Sequence, residues 1–314
     1  MSRQDMDKPI VSVVIPTYNR AGYLREALDS VAAQTFQDFE VVVVDDGSDE
    51  DIASAVSGHA AHPRLIRQAR QGPAAARNRG IFESRGEFIA FLDSDDHWLP
   101  NKLAVFVAAL QEAGNVNIFY GPMIPVDDAG RTVSGRTKPR YEGWITQRLF
   151  ESCFVDVPSV VCRKSVLVDA GCFDASLPVC EDYDLWLRVS VAQPFGLISE
   201  PLAKRRLHDN RLSKQLMSRN LGVKARVLER FYEQHHDGRV LDHRSAAARL
   251  SRVYFQAGRA AFHDGAYQQS VEYCRASRAH GRSPFRTILF SAAAATMAML
   301  LGDREKVAAG TAKV

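Results

Sequence analysis

The chain has 314 residues, enough for about two domains that each bury a core, and that length excludes a disulfide-stapled miniprotein. Apolar residues make up 46%, aromatic residues 9% and charged residues 25%, the usage of a folded globular protein. The net charge of +3 hides an asymmetry: residues 1–202 carry 19 Lys and Arg against 28 Asp and Glu, and residues 203–314 carry 21 against 9, so the two parts are expected to meet different partners.

The polar start MSRQDMDKP passes directly into a strand-like run, which predicts no secretory signal. Five cysteines, Cys153, Cys162, Cys172, Cys180 and Cys274, include no C-x-x-C pair, so reduced thiols in a cytosolic setting are expected. Ile10–Pro16 is a β-branched apolar run, as for a parallel strand buried on both faces. Tyr23–Gln34 carries Leu24, Ala27, Leu28, Val31 and Ala32 at helical spacing, and Glu40–Ser48 repeats the buried-strand pattern before ending in acid and glycine. A helix over Asp49–Ser57, a strand over Arg64–Arg67, a helix over Ala74–Ser84 and a strand over Glu87–Asp96 follow. This alternation predicts an open α/β sheet, with ligands beyond the carboxyl ends of its strands.

From about 120 to 156, Gly, Pro and charge predict a long loop or ragged hairpin. A short strand at Val157–Cys162, an amphipathic helix at Asp182–Val191 and a strand at Phe195–Ile198 precede the basic Lys204-Arg205-Arg206. Beyond about 214 every apolar pattern is helical, and Tyr254–Arg278 loosely resembles one tetratricopeptide-type hairpin. The uncharged stretch Thr287–Gly302 has 16 residues, too few to span about 30 Å of hydrocarbon as a helix.

No G-x-G-x-x-G follows the first strand, and G-x-x-x-x-G-K-[ST] and H-E-x-x-H are absent, which removes the glycine cradle of a dinucleotide dehydrogenase or P-loop enzyme. Acid stands at the strand ends instead: Asp45-Asp46, and Asp93-Ser94-Asp95-Asp96. Carboxylates two apart suit a hard divalent cation and a ribose hydroxyl. Taken alone, each acid group reads equally as a turn or a helix N-cap.

In order the chain carries VVIPTYNR (Val13–Arg20), VVDDGSDE (Val43–Glu50), GPAAARNRG (Gly72–Gly80), FIAFLDSDDHWLP (Phe88–Pro100), PSVVCRKSVLVDAGCFD (Pro158–Asp174), EDYDLWLR (Glu181–Arg188) and RLH (Arg206–His208). Over residues 10–213 this series resembles the family-two inverting glycosyltransferases. The resemblance implies the GT-A fold, a Rossmann-like, mostly parallel open sheet with flanking helices, over residues 1–213. An all-helical region then occupies 214–314. It further implies transfer of a sugar from a nucleotide-diphospho-sugar, preferably a UDP-sugar, to a glycan, lipid-linked or other hydroxyl acceptor, with no nucleic acid partner.

By that resemblance Pro16, Thr17, Tyr18 and Arg20 form the nucleoside-binding turn, Asp46 accepts from the uracil N–H, and Arg77 lies near base and phosphates. Asp93 and Ser94 face the ribose or sugar. Asp95 and His208 ligate a divalent cation, Mn²⁺ or Mg²⁺, and Asp96 is a second ligand, an N-cap or an acceptor-side group. Asp182 is the general base, Glu181 supports it or positions the acceptor, and Trp186 walls the acceptor pocket or packs in the core. Arg205 replaces the family's Tyr, so two guanidiniums, Arg205 and Arg206, are expected near the diphosphate. A non-catalytic module that binds a nucleotide-sugar is the alternative. The basic C-terminal region is expected to rest on an anionic membrane at its inner face, to hold an anionic acceptor, or to present a solvated basic face.

Overall fold

The computed structural model describes residues 8–134, 139–207, 217–281, 290–297 and 299–300, with the side chains of 217–219 outside that description. The chain divides into two compact units, residues 1–209 and 210–314. In the first, β1 (Val11–Thr17) is buried along its whole length and is flanked by two parallel strands, β2 (Phe39–Asp45) and β4 (Phe88–Phe91). β3 (Arg64–Arg67) adds to β2 in parallel, with Asp45 beside Arg67.

Beyond β4 the sheet changes direction. β8 (Val161–Arg163) runs antiparallel to β4 and to β6 (Ile118–Tyr120), and β9 (Gly196–Leu197) pairs parallel with β6, which gives the order β3-β2-β1-β4-β8-β6-β9. A small second sheet, β5-β10-β7, joins His97–Trp98, Ala203–Arg206 and Met123–Val126. It lies where the sequence predicts a loop after 120 and an isolated basic run at 204–206.

The helices cover the sheet because their apolar faces match it. α1 (Ala21–Ala32) buries Leu24, Ala27, Leu28 and Val31, each worth up to about 3 kcal/mol for the larger side chains. α2 (Ile52–Val56) starts at Asp51, whose carboxylate accepts from the Ser54 N–H at 3.1 Å. α3 (Pro73–Glu83) opens with Pro at its first position after Gly72, which sits at φ +95°. It packs closely on β1: a methyl built on Gly80 would lie 2.3 Å from Val14 Cγ1, so only glycine admits this approach. α4 (Lys102–Glu112), α5 (Thr146–Glu151), α6 (Lys164–Asp169) and α7 (Glu181–Ala192) complete the unit.

Among its described residues the second unit is helical. α8 (Met217–His235), α9 (His243–His263) and α10 (Tyr267–Ala279) are followed by helical residues at 290–297 and 299–300. α9 and α10 form a hairpin in which Ser270 Oγ donates to the Gly258 carbonyl at 2.8 Å. Within the described residues no helix is long and apolar enough to cross a membrane.

Candidate active site

The parallel strands β1, β2 and β4 deliver their following loops to one edge, and the candidate residues gather there. Pro16 is buried inside β1 beside Val44 of β2. Thr17 closes the strand, its Oγ1 buried and without a hydrogen-bond partner among the described residues. Asn19 ties the first two loops together. It takes φ +51°, which Asn tolerates, donates its N–H to Ser48 Oγ at 2.9 Å, and accepts through Oδ1 from the Asp49 N–H at 2.8 Å. Asn19 lies in the PTYNR segment, where no sequence pattern assigns it a role.

Asp46 is buried, and its carboxylate organises the loop that leads into α3. Oδ1 accepts from Gln68 Nε2 at 2.8 Å and from the Gln71 N–H at 2.9 Å, while Oδ2 accepts from the Gly72 N–H at 2.7 Å. A carboxylate offers about four acceptor sites, so one remains for a ligand N–H. On the same loop Arg70 stacks 4.1 Å above the Tyr18 ring, a second group that the sequence does not single out.

After β4 the chain turns sharply: the Asp96 N–H donates to the Asp93 carbonyl at 3.0 Å, so the strand expected to run to Asp96 ends at Phe91. Three arginines from separate elements meet this acid turn. Arg20 pairs with Asp95 Oδ2, Arg77 Nη2 donates to Asp93 Oδ1 at 2.8 Å, and the Arg206 N–H donates to Asp96 Oδ1 at 3.0 Å. Ser94 is buried within the turn. Burial pushes the Asp93 carboxyl above its usual range, and Asp95 and Glu181 add to this against the opposing charge of Arg77. Asp96 is raised further, by burial and by Asp93 and Asp95 beside it.

Arg77 is buried and reaches both sides of the site. Its Nη1 donates to Glu181 Oε1 at 2.8 Å, so one guanidinium joins the acid turn to the start of α7. Burial opposes its charge, but Asp93 and Glu181 outweigh that and hold its proton more tightly than usual. Its Nε is buried with no partner among the described residues.

Asp182 lies in the first turn of α7, behind Cys180 at φ +63°. Its Oδ1 accepts from the Tyr183 N–H at 2.7 Å, a contact favoured at a helix N-terminus. Burial and the adjacent Glu181 push its carboxyl up to about 7, with Arg77 pulling the other way. Such a group takes up a proton near neutral pH, the property a general base requires. Tyr183 fixes the helix start by donating its hydroxyl to the Leu149 carbonyl at 2.7 Å.

Several expected roles meet a different placement. Trp186 is fully buried, edge-on to Phe173, with Nε1 lacking a partner among the described residues, so it packs in the core instead of walling a pocket. Asp96 is likewise buried, and its Oδ1 accepts from the Arg206 N–H. Arg206 is only 4% exposed and its guanidinium is spent on protein groups, while Arg205 pairs with Asp156 at 3.1 Å. The pair therefore does not offer two free guanidiniums to a diphosphate. His208 lies outside the described residues. A cleft of about 430 Å³, lined by Glu26, His97, Trp98, Asp128, Lys204 and Arg206 among others, includes none of Asp93, Asp95, Glu181 or Asp182.

Among the described residues no three His, Cys, Asp or Glu side chains form a group that holds a metal ion unaided. The donor set at Asp93 and Asp95 nevertheless fits Mg²⁺ or Mn²⁺ bound in the way usual for these ions, through one or two carboxylates and substrate phosphate oxygens. Burial first, and then the neighbouring carboxylates, raise the proton affinity of Asp93 and Asp96, a repulsion that a bound cation relieves.

Residues 12–167 match the family model described as glycosyl transferase family 2. The chain is 30% identical over 220 residues to an uncharacterized glycosyltransferase of Methanocaldococcus jannaschii, covering 67% of this chain and 76% of that one. It is 32% identical over 209 residues to one of Rickettsia bellii, covering 66% of this chain and 30% of that one. The chain thus spans about a third of the length of its Rickettsia bellii relative. Among solved structures, S. aureus TarS 1-349 in complex with UDP-GlcNAc superposes with a TM-score of 0.63 at 20% identity, over 89% of this chain and 83% of that one. The mannosyltransferase PcManGT from Pyrobaculum calidifontis, in complex with GDP-Man and Mn²⁺, gives 0.60 at 17%, over 93% and 81%. The shared fold is GT-A.

Proposed function

The chain belongs to glycosyl transferase family 2, and from that membership we propose that it moves a sugar from a nucleotide-diphospho-sugar to an acceptor hydroxyl, in one in-line displacement with inversion. The observation that carries this reading is the Arg77 bridge, because it places the acid turn and the Asp182 helix within reach of one side chain. Donor recognition falls to the Tyr18–Arg70 stack and to Asp46, with Asp93 toward the sugar side. A divalent cation held at Asp95 would stabilise charge on the departing diphosphate.

Asp182 accepts the proton of the acceptor hydroxyl as that oxygen bonds to the anomeric carbon. The bond from that carbon to the diphosphate oxygen breaks at the same time, and the nucleoside diphosphate leaves with the electron pair. Glu181, paired with Arg77, stands beside Asp182, and its charge helps keep the Asp182 carboxyl basic. Uridine is the preferred base because Asp46 retains one acceptor site, although thymine presents the same N–H. The catalytic work is assigned to residues 1–213 and acceptor or membrane contact to the basic region beyond, which is expected to work at the inner face of the membrane.

Calorimetry with UDP-sugars and GDP-sugars, in Mn²⁺ and in chelator, tests this. Binding that strengthens with the cation supports the reading, and equal affinity in both buffers removes the cation from it. No binding of any nucleotide-sugar sinks the donor assignment.

A further inference from the structure

Arg206 ends β10 and is almost wholly buried, yet every direction of its side chain is used. Nη2 donates to Glu26 of α1 and to His97 Nε2 at 3.2 Å, Nη1 donates to the Asp128 carbonyl at 2.6 Å, and Nε donates to the Asp95 carbonyl at 3.3 Å. The guanidinium carbon lies 4.9 Å from the centre of the Tyr23 ring. The strand itself is fixed on both sides, pairing with Val126 of β7 in parallel and with β5 in antiparallel register.

The acid turn needs such a support. Asp93, Asp95 and Asp96 repel one another, and the turn is closed by the bond from the Asp96 N–H to the Asp93 carbonyl. Arg20 and Arg77 hold the carboxylates of Asp95 and Asp93, the very oxygens that a donor and its cation would engage. Arg206 grips different atoms, the Asp95 carbonyl and, through its backbone N–H, the Asp96 carboxylate. Those contacts are compatible with an occupied site.

We propose that Arg206 is the positioning residue of the acid turn: anchored on α1, β5 and the loop after β7, it holds the backbone at Asp95 and Asp96 so that the Asp93 and Asp95 oxygens face the donor and its cation. A lysine cannot replace it, because the ammonium is a single point, whereas the guanidinium fork reaches Glu26, Asp128 and Asp95 in three directions. The inference rests on the proposed donor role of the turn.

The test is calorimetry of UDP with the full chain, in Mn²⁺ and in chelator, for the parent, Arg206→Gln, Arg206→Lys and Asp95→Asn, each checked by circular dichroism. The readout is the affinity gained from Mn²⁺, which a purely structural role would not change selectively. Arg206→Gln is expected to lose about tenfold or more of that gain while its affinity for UDP in chelator stays within about threefold, because its side chain contacts Glu26, His97, Asp128 and the Asp95 carbonyl and none of the groups assigned to the base. Arg206→Lys should fall between it and the parent, and it carries the test alone if the Gln variant does not fold. A folded variant that keeps the whole gain, or that loses UDP affinity equally in both buffers, overturns the proposal. If instead the parent shows no gain, or Asp95→Asn retains it, the donor role of the turn fails and the inference falls with it.

Discussion

Lys102 is the least expected residue in the first unit, and its replacement by Met gives a sharp test of the packing described here. The residue opens α4 with no exposed surface, and its Nζ has no hydrogen-bond partner among the described residues. The amine lies 4.3 Å from the Phe106 ring centre and 5.0 Å from that of Trp98. Burial lowers its pKa from 10.5 to about 7. At about 1.36 kcal/mol per pH unit, that depression corresponds to about 5 kcal/mol against the protonated folded state. The two rings return up to about 2 kcal/mol, which leaves a net cost of about 3 kcal/mol.

Between pH 7 and 10.5 the unfolded chain binds more protons than the folded one, so stability rises with pH across that window. Lys102→Met keeps the stem and removes the amine. It should stabilise the first unit by about 2–3 kcal/mol at pH 7, and the gain should shrink as the pH approaches 10. Urea unfolding followed by tryptophan fluorescence measures this, since Trp98, Trp144 and Trp186 all lie in the first unit. A variant that is destabilised at pH 7, or a gain independent of pH, would refute the reasoning.

Arg77→Met leaves Asp93 and Glu181 without their shared partner and should destabilise the first unit by about 3 kcal/mol; a loss below about 1 kcal/mol in the same urea assay would show that the bridge is weak. The rate of donor consumption should rise with pH through about 7 as Asp182 ionises. Glu181→Gln removes a neighbouring negative charge, so that acid limb should move to lower pH; no movement, or movement upward, contradicts the assigned coupling. Gly80→Ala forces a methyl against Val14 and should cost about 1–3 kcal/mol. Gly22→Ala, which meets nothing within 4 Å on α1, should instead stabilise by about 0.5–1 kcal/mol.

The parallel half of the sheet was legible because strands buried on both faces write continuous apolar runs: VSVVIPT and VVVV need no context to be read. The Asp93–Asp96 segment was read as the end of a strand because hydrophobic Phe88–Leu92 runs into it without a break. The short bonded turn from Asp96 to Asp93 is what stops the ladder. β10 left no such trace. Ala-Lys-Arg-Arg carries no apolar alternation, and it forms a strand only because β5 and β7 supply its ladders and Arg206 finds buried partners. Helix α4 does leave a signal, Leu103, Phe106, Val107 and Leu110 at helical spacing, although none of the elements expected from the sequence covers it.

The acids of the site were named by their resemblance to family motifs. The same resemblance names Arg20, Arg77 and Arg206, but toward the nucleotide and its diphosphate and not as partners of these acids. Arg77 meets Glu181 across 104 positions of sequence, and Arg206 meets Glu26 across 180, separations that no local pattern encodes. For Trp186 the sequence leaves two readings open, a pocket wall or a core residue, and burial favours the second. Beside two catalytic candidates on one helix, it invites a functional role, yet the helical period turns it inward against Phe173.

The proposed base of the glycosyl transfer is Asp182. Its direct test is release of nucleoside diphosphate from the nucleotide-sugar that calorimetry identifies, compared between the parent and Asp182→Asn. Asparagine keeps the shape and the contact to the Tyr183 N–H, but it has no basicity to offer. The account predicts donor affinity within a few-fold of the parent and a rate lower by about 10²–10⁴-fold, the usual contribution of general acid–base catalysis. A folded, donor-binding Asp182→Asn protein that turns over within a few-fold of the parent would contradict it.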